Sequence, residues 1–202
     1  MKSVIAVQFG RKISGRTNYR KRLALLKSDL PRLIVRKTLT SIILQVANFD
    51  QAGDKVMLTL TSTRLKSLGW KHSCKNIPAA YLAGMLMGKM ALAANISKAV
   101  PDIGMQSVTK GGKIFAAIKG AKDAGLDVQV SESILPSNDT ISGAHIAHYA
   151  KTAKPLQFAK SGAAAVSITK DFEGIKAAIA SGGWQSVVSE AKHSTKGKSG
   201  KS

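Results

Sequence analysis

The chain of 202 residues is long enough for one packed domain with extensions, and its 31 Lys and Arg against 11 Asp and Glu give it a formal net charge of +20. Repulsion at that excess disfavours a compact state unless a polyanion neutralises it, so we expect a polyanionic partner. Cys74 is the only cysteine, which excludes an intramolecular disulfide and any zinc site built from several cysteines and favours a reducing compartment.

The positive charge is concentrated at the N-terminus. Residues 1–37 hold eleven basic side chains and one acid, Asp29, and so carry +10 of the +20. Nucleic acid is the favoured partner for such a segment, while an anionic membrane surface and a solvated charge run without function are the alternatives. The first ten residues lack the apolar stretch of an export signal, so we expect a cytoplasmic protein. We interpret residues 1–31 as a basic extension with a short helix over 19–27.

A β-sheet pattern begins at residue 32. The β-branched stretch 32–36 predicts a first strand, and 41–49 and 56–63 predict two more, the last with alternating apolar and polar side chains. The polar turn over 50–54 makes the second and third strands a hairpin. These three strands are expected to form a meander.

The first long helix is predicted over 79–96. It is apolar around most of its circumference, with Gly84 and Gly88 opposite its largest side chains. Small residues four apart would let this helix pack closely on the sheet. Its length and its interruption by Lys89 and Asn95 indicate a buried helix rather than a membrane span.

Strands and helices then alternate. A fourth strand is predicted over 102–108, a second amphipathic helix opens at Gly111 and Gly112, and a fifth strand is predicted over 127–130. The fold class is therefore α/β, with a mixed sheet in which a three-stranded meander is followed by β-α-β-α-β elements. We expect this core domain to span residues 32–131.

The remainder is more polar and less periodic. Residues 132–190 are interpreted as a C-terminal appendage with short helices over 145–152 and 172–180. Residues 191–202 are rich in lysine and lack large apolar side chains, so they are expected to form a tail that RNA could order.

Sites for chemistry are hard to find in this sequence. His145 and His148 would share a helix face, but neither has a Cys, Asp or Glu within one turn, so we expect no metal site. A metal-dependent nuclease is the enzyme alternative, and only Asp102 lies at a predicted strand for that role. The helix opening at 111–113 could hold an RNA phosphate, although two glycines there also suit a simple turn. We expect binding without catalysis, cofactor or small-molecule substrate.

The aromatic content predicts the mode of RNA recognition. Aromatic residues make up 5% of the chain, and among them Phe9, Tyr19 and Trp70 could stack on bases, with a core position as the alternative for Trp70. So few rings disfavour a single-strand stacking platform. Recognition of structured RNA by shape and backbone contacts fits better.

Several motifs together resemble one family, the universal large-subunit ribosomal protein eighteen, which binds 5S ribosomal RNA. The resemblance covers about residues 8–180 and is closest to the archaeal branch. It is carried by Arg16-Thr17-x-Tyr19 with Arg20 and Arg22, Pro31-Arg32-Leu33, Val35-Arg36-Lys37, Gly69-Trp70, Asn76, Pro78-Ala79-Ala80-Tyr81-Leu82-x-Gly84, Gly88-Lys89, Asp102-Ile103-Gly104, Phe115-Ala116, Gly120-Ala121, Asp123-Ala124-Gly125-Leu126, Gly143-x-His145-Ile146-Ala147-x-Tyr149-Ala150, Phe158 and Phe172.

The resemblance implies a structural role in the ribosome. Proteins of this family attach 5S rRNA to the large subunit and lie in the central protuberance, where they also contact 23S rRNA and neighbouring ribosomal proteins. A free-standing protein that binds structured RNA, or an assembly protein of the same fold, is the alternative. Carried over to this chain, the expected RNA contacts are Arg11, Lys12, Arg16, Tyr19, Arg20, Arg22, Arg32, Arg36, Lys37, Ser41, Gln45 and Trp70.

Overall fold

A four-stranded mixed sheet forms the centre of the molecule. The computed structural model describes residues 7–152 and 165–184, so the predicted lysine-rich tail and Phe158 lie outside the described residues. The strands are β1 (Arg32–Lys37), β2 (Ile42–Asn48), β3 (Lys55–Thr61) and β4 (Val100–Asp102), in the order β3-β2-β1-β4. β1 and β3 each pair antiparallel with β2, whereas β4 runs parallel to β1. The predicted α/β fold with a mixed sheet is confirmed.

Seven α-helices surround this sheet within the described ranges. They are α1 (Gly10–Ile13), α2 (Tyr19–Leu26), α3 (Ile77–Ala93), α4 (Lys113–Asp123), α5 (Asn138–Ser142), α6 (Ala144–Thr152) and α7 (Ile168–Ala180). Short 3-10 helices occupy Ser62–Leu68 and Glu132–Ile134. None of the helices in the described part of the chain has the length and apolar character needed to cross a bilayer.

Two strand predictions are corrected. β4 covers Val100–Asp102 rather than 102–108, because the chain turns immediately afterwards: Gly104 has φ +67° and donates its backbone N–H to Asp102 Oδ1 at 2.8 Å. The predicted fifth strand at 127–130 is reduced, among the described residues, to a single bridge between Asp127 and Lys98.

The two faces of the sheet differ in polarity. Leu33 and Val35 of β1 point into the core, which α3 and α4 cover. Arg32, Ile34 and Arg36 alternate with them and lie on the opposite face. We call that second face the outer face of the sheet. Of its two arginines, Arg36 is partly exposed, whereas Arg32 is buried.

Helix α3 begins where local side chains specify it. The Asn76 side chain accepts a hydrogen bond from the Ala79 backbone N–H at 2.9 Å, and Pro78 occupies the first turn. Thirteen of its seventeen residues are buried, as its nearly continuous apolar sequence predicted. Tyr81 in this helix donates its hydroxyl hydrogen to Asp123 Oδ2 at 2.8 Å, and burial together with this bond raises the pKa of the phenol.

The small residues of α3 pack against α4, not against the sheet. A side chain at Gly84 would overlap the Ala117 carbonyl of α4, and one at Gly120 would overlap the Tyr81 carbonyl of α3. The sequence spacing identified the close approach but assigned it to the wrong partner. Glycine is needed on both helices because the two backbones touch there.

Gly84→Ala is expected to lower the free energy of unfolding by about 2 kcal/mol, because its new methyl group meets backbone atoms that cannot move without shifting a helix. Urea denaturation followed by circular dichroism measures the change. Gly174→Ala is the matched control, since nothing lies within 4 Å of a side chain added at this position of α7. The control is expected to leave stability unchanged or raise it by about 0.5 to 1 kcal/mol. Equal effects of the two substitutions would contradict the close helix packing.

The C-terminal helices share the main core. Helices α5 and α7 pack on α3, and Ile168, Phe172, Ile175 and Ile179 of α7 are buried in the same cluster as the sheet side chains. Helix α7 begins four residues before its predicted start. A hydrogen bond of 2.8 Å between His72 and Asp171 adds a polar contact to this packing. The domain boundaries proposed at residues 31 and 131 stay predictions.

Candidate nucleic-acid interface

The basic N-terminal segment is ordered by local polar contacts. The Asn18 side chain accepts a hydrogen bond from the Lys21 backbone N–H at 3.1 Å and so starts α2. Arg11 Nε donates to Thr17 Oγ1 at 3.0 Å, which ties α1 to the segment before α2. Neither helix contains a buried residue. This segment therefore lies on the core without being part of it.

A groove separates this segment from the outer face of the sheet. The cavity has a volume of about 640 Å³ and extends along β1, β4 and the loop that follows β4. Two acids, Asp54 and Asp102, line it together with six cations. We call it the arginine groove after these cations: Arg11, Arg16, Lys21, Arg22, Arg32 and Arg36.

Asp102 fixes the arginines of β1. It lies opposite Ile34, between Arg32 and Arg36 on the outer face. Its Oδ2 accepts from Arg32 Nη1 at 3.3 Å and its Oδ1 from Arg36 Nη2 at 3.1 Å. Arg36 Nη1 also donates to the Asp102 backbone carbonyl at 2.6 Å. Arg36 is thereby aimed along the sheet edge, and Asp102 is fully committed as a hydrogen-bond acceptor.

Asp54 contacts a second pair of arginines. Its Oδ1 lies 2.9 Å from Arg22 Nη2 and 2.7 Å from Arg32 Nη2. Arg32 is 3% exposed, so its charge depends on these carboxylates. Despite the short distance to Asp54, Arg32 Nη2 and Nε make no hydrogen bond of acceptable geometry within the described residues. The charge of the buried Arg32 guanidinium is therefore neutralised by carboxylates, but not all of its N–H groups are hydrogen-bonded.

Four cations of the N-terminal segment are exposed and unpaired. Lys12, Arg16, Arg20 and Lys21 lie in or beside α1 and α2, and in the described part of the chain their side chains make no ion pair or hydrogen bond. Exposed, unpaired cations on one segment are the groups that contact phosphates at least cost, because no internal partner has to be released. Lys21 was not among the predicted contacts.

The other polar residues predicted to bind RNA have internal partners. Lys37 Nζ donates to the Ser107 carbonyl at 3.0 Å, and Gln45 Nε2 donates to Thr59 Oγ1 at 3.2 Å on the outer face. Ser41 is buried, and its hydroxyl lies 3.1 Å from Thr38 Oγ1 in the turn between β1 and β2. Lys37 remains exposed and Gln45 partly exposed, whereas Ser41 stabilises a turn.

The aromatic residues divide into two groups. Tyr19 packs its ring 5.1 Å from that of Phe9, which is 69% exposed, so this pair is available to a nucleotide. Trp70 is 2% exposed, and its indole N–H is bonded to the Ser73 carbonyl at 3.2 Å. This burial favours the core position, which the sequence left open as the alternative for Trp70, and a contact between Trp70 and RNA stays a prediction. The size of Trp70 and its position after Gly69 are as compatible with packing in the core as with stacking on a base.

The described residues contain no group of three or more His, Cys, Asp or Glu that could hold a metal ion. Asp102, the one candidate for a nuclease, is occupied by two arginines and a backbone N–H. Burial raises the pKa of the Cys74 thiol, which disfavours the reactive thiolate. The helix opening at 111–113 lines a cavity of about 360 Å³ with Lys37 and Lys110, and a phosphate there stays a prediction.

The sequence did not reveal that Asp54 and Asp102 are the partners of the arginines in the groove. Acids are rare in this chain, and an acid at the end of a strand or turn is a signal for an arginine partner. Which arginine each acid contacts could not be predicted. Asp102 follows Arg32 by 70 residues and pairs with it only because β1 and β4 lie side by side in parallel.

A comparison with protein families places this interface in context. A family model described as ribosomal large subunit proteins 60S L5, and 50S L18, matches residues 4–98. That stretch, just under half of the chain, contains the basic segment, the first three strands and α3. Over these residues the chain is similar to these ribosomal large subunit proteins, and the match supports a large-subunit ribosomal protein.

Proposed function

We propose that the chain binds 5S rRNA and attaches it to the large subunit, in the central protuberance, where it also contacts 23S rRNA and neighbouring ribosomal proteins. The observation that carries this proposal is the cluster of exposed, unpaired cations at Lys12, Arg16, Arg20 and Lys21 beside the arginine groove. The choice of 5S rRNA is supported by the sequence motifs of the basic segment and β1, which resemble the 5S rRNA-binding family.

Two sets of cations have separate tasks in this proposal. The unpaired side chains of the N-terminal segment contact phosphates and supply most of the affinity. The paired arginines of β1 hold a fixed geometry on the sheet, because Asp102 orients Arg36. The N-terminal segment, whose helices have no buried residue, then lies over the rigid outer face of the sheet. The spacing between the cations of the segment and the arginines of the sheet recognises the shape of the RNA.

Competition binding tests the choice of RNA. The purified chain is titrated with labelled 5S rRNA at near-physiological salt, and unlabelled 5S rRNA or tRNA competes. At equal nucleotide concentration, we expect 5S rRNA to compete at least about tenfold better than tRNA, because non-specific charge attraction is similar per phosphate, whereas the shape and sequence of the two RNAs differ. Equal competition by the two RNAs would contradict the proposal. Cosedimentation with large subunits separates a ribosomal component from a free-standing assembly protein.

A further inference from the structure

Asp54 occupies an unusual position in the arginine groove. A single carboxylate oxygen, Oδ1, lies between Nη2 of Arg22 on α2 and Nη2 of Arg32 on β1. Asp54 itself belongs to the polar turn between β2 and β3, and 23% of its side chain is exposed. Two guanidinium groups from different elements therefore converge on one anionic oxygen at the mouth of a cavity.

The carboxylate does not satisfy the groups around it. Arg32 is almost completely buried, yet its Nε and Nη2 lack hydrogen bonds within the described residues although Asp54 is adjacent. A carboxylate is planar, whereas a phosphodiester is tetrahedral and presents two unesterified oxygens that lie farther apart, because P–O bonds are longer than C–O bonds. Arginine forks suit such a group. The unsatisfied donors indicate that this position is shaped for a different anion.

Charge and space both permit an exchange. A phosphodiester carries one negative charge, as Asp54 does, so replacing one by the other leaves the charge around buried Arg32 unchanged. The cavity of about 640 Å³ is open to the cations of the N-terminal segment, along which an RNA backbone would run. Asp54 sits at the end of an exposed turn and contacts Arg22 and Arg32 through one carboxylate oxygen, so a rotation of its side chain would release both contacts.

We propose that Asp54 stands in for an RNA phosphate in the free protein, and that a phosphodiester displaces it and binds between Arg22 and Arg32. This inference rests on the proposed function, since the phosphate belongs to the RNA held by the N-terminal segment. The internal acid keeps the arginines in place before RNA arrives. It also weakens binding, because it has to be released.

The test compares Asp54→Asn with Asp50→Asn. Both remove one negative charge from the same turn, but Asp50 is exposed and its carboxylate accepts only from the Ala52 backbone N–H among the described residues. We expect Asp54→Asn to bind 5S rRNA about threefold to tenfold more tightly than Asp50→Asn, because the phosphate between Arg22 and Arg32 then binds without an internal carboxylate to displace. Binding no tighter than the control, or weaker, would overturn the inference.

A second measurement uses the wild-type chain, in case Asp54→Asn lowers its stability. Arginine Nε–H resonances are followed by NMR in a chain labelled with ¹⁵N-arginine as 5S rRNA is added. The exchange predicts that the Nε–H signals of Arg22 and Arg32 both move on saturation, since Arg32 Nε gains an acceptor. An unmoved Arg32 signal in a saturated complex would overturn the inference. If the gain of Asp54→Asn appears equally with tRNA, the phosphate site stands and the choice of 5S rRNA fails.

Discussion

Replacing Arg16, Arg20 and Lys21 together by glutamine is expected to weaken binding of 5S rRNA by roughly 100-fold at near-physiological salt, at about 1 kcal/mol for each lost charged contact. These side chains are exposed and unpaired in the described part of the chain, so their removal costs the fold little. The salt slope is expected to fall by about two to three units, because three phosphates are no longer neutralised. Titrations at several salt concentrations measure both quantities.

The control for this triple variant removes the same charge elsewhere. Lys151, Lys170 and Lys176 are exposed on α6 and α7, and α7 packs on α3 at the far side of the core from the arginine groove. Their replacement by glutamine lowers the net charge equally and is expected to change affinity by less than about threefold, through long-range attraction alone. Equal losses in the two variants would mean that net charge, and not the N-terminal segment, carries the binding.

Asp102→Ala is expected to lower the free energy of unfolding by about 3 to 4 kcal/mol, which is the larger stability effect predicted for this protein. Without this carboxylate, Arg32 stays buried with only Asp54 near it, Arg36 loses an acceptor, and the Gly104 N–H that ends β4 is unpaired. Breaking a buried ion pair from one side costs more than the pair contributes, because the remaining charge is left without compensation. Urea denaturation measures the loss.

Asp127→Ala serves as its control. Asp127 is 59% exposed and lies 4.0 Å from Lys98, so this pair is screened by solvent and its loss is expected to change stability by no more than about 0.5 kcal/mol. A loss below about 1 kcal/mol for Asp102→Ala would show that the arginines of β1 do not depend on it. Their role on the outer face of the sheet would then need another explanation.

The sheet and its helices were predictable where a periodic pattern coincided with local signals. The β-branched stretch 32–36 predicted the first strand, and the structure confirms it as β1. The apolar pattern over 79–96 predicted α3, which begins two residues earlier, at Ile77. The sequence could not show that the fifth strand is reduced to one bridge. Val128 is buried, as a strand residue would be, so its apolar pattern is the same in both cases.

The partners of the basic residues were not predictable. A run of arginines indicates an anion, but the sequence does not say whether that anion is internal or external. Arg32 and Arg36 have Asp102, whereas Arg16 and Arg20 have no ion-pair partner in the described ranges. The difference depends on contacts between residues about 70 positions apart, which only the folded sheet creates. The same reason explains why Gly84 was assigned to the sheet when it contacts α4.

Lysine protection by 5S rRNA tests the central claim most directly. The wild-type chain is acetylated with and without bound 5S rRNA, and each lysine is quantified by mass spectrometry. We expect Lys12 and Lys21 of the N-terminal segment to become protected, while Lys170 and Lys176 of α7 react as in the free chain. Protection of the two α7 lysines with Lys12 and Lys21 still fully reactive would contradict it.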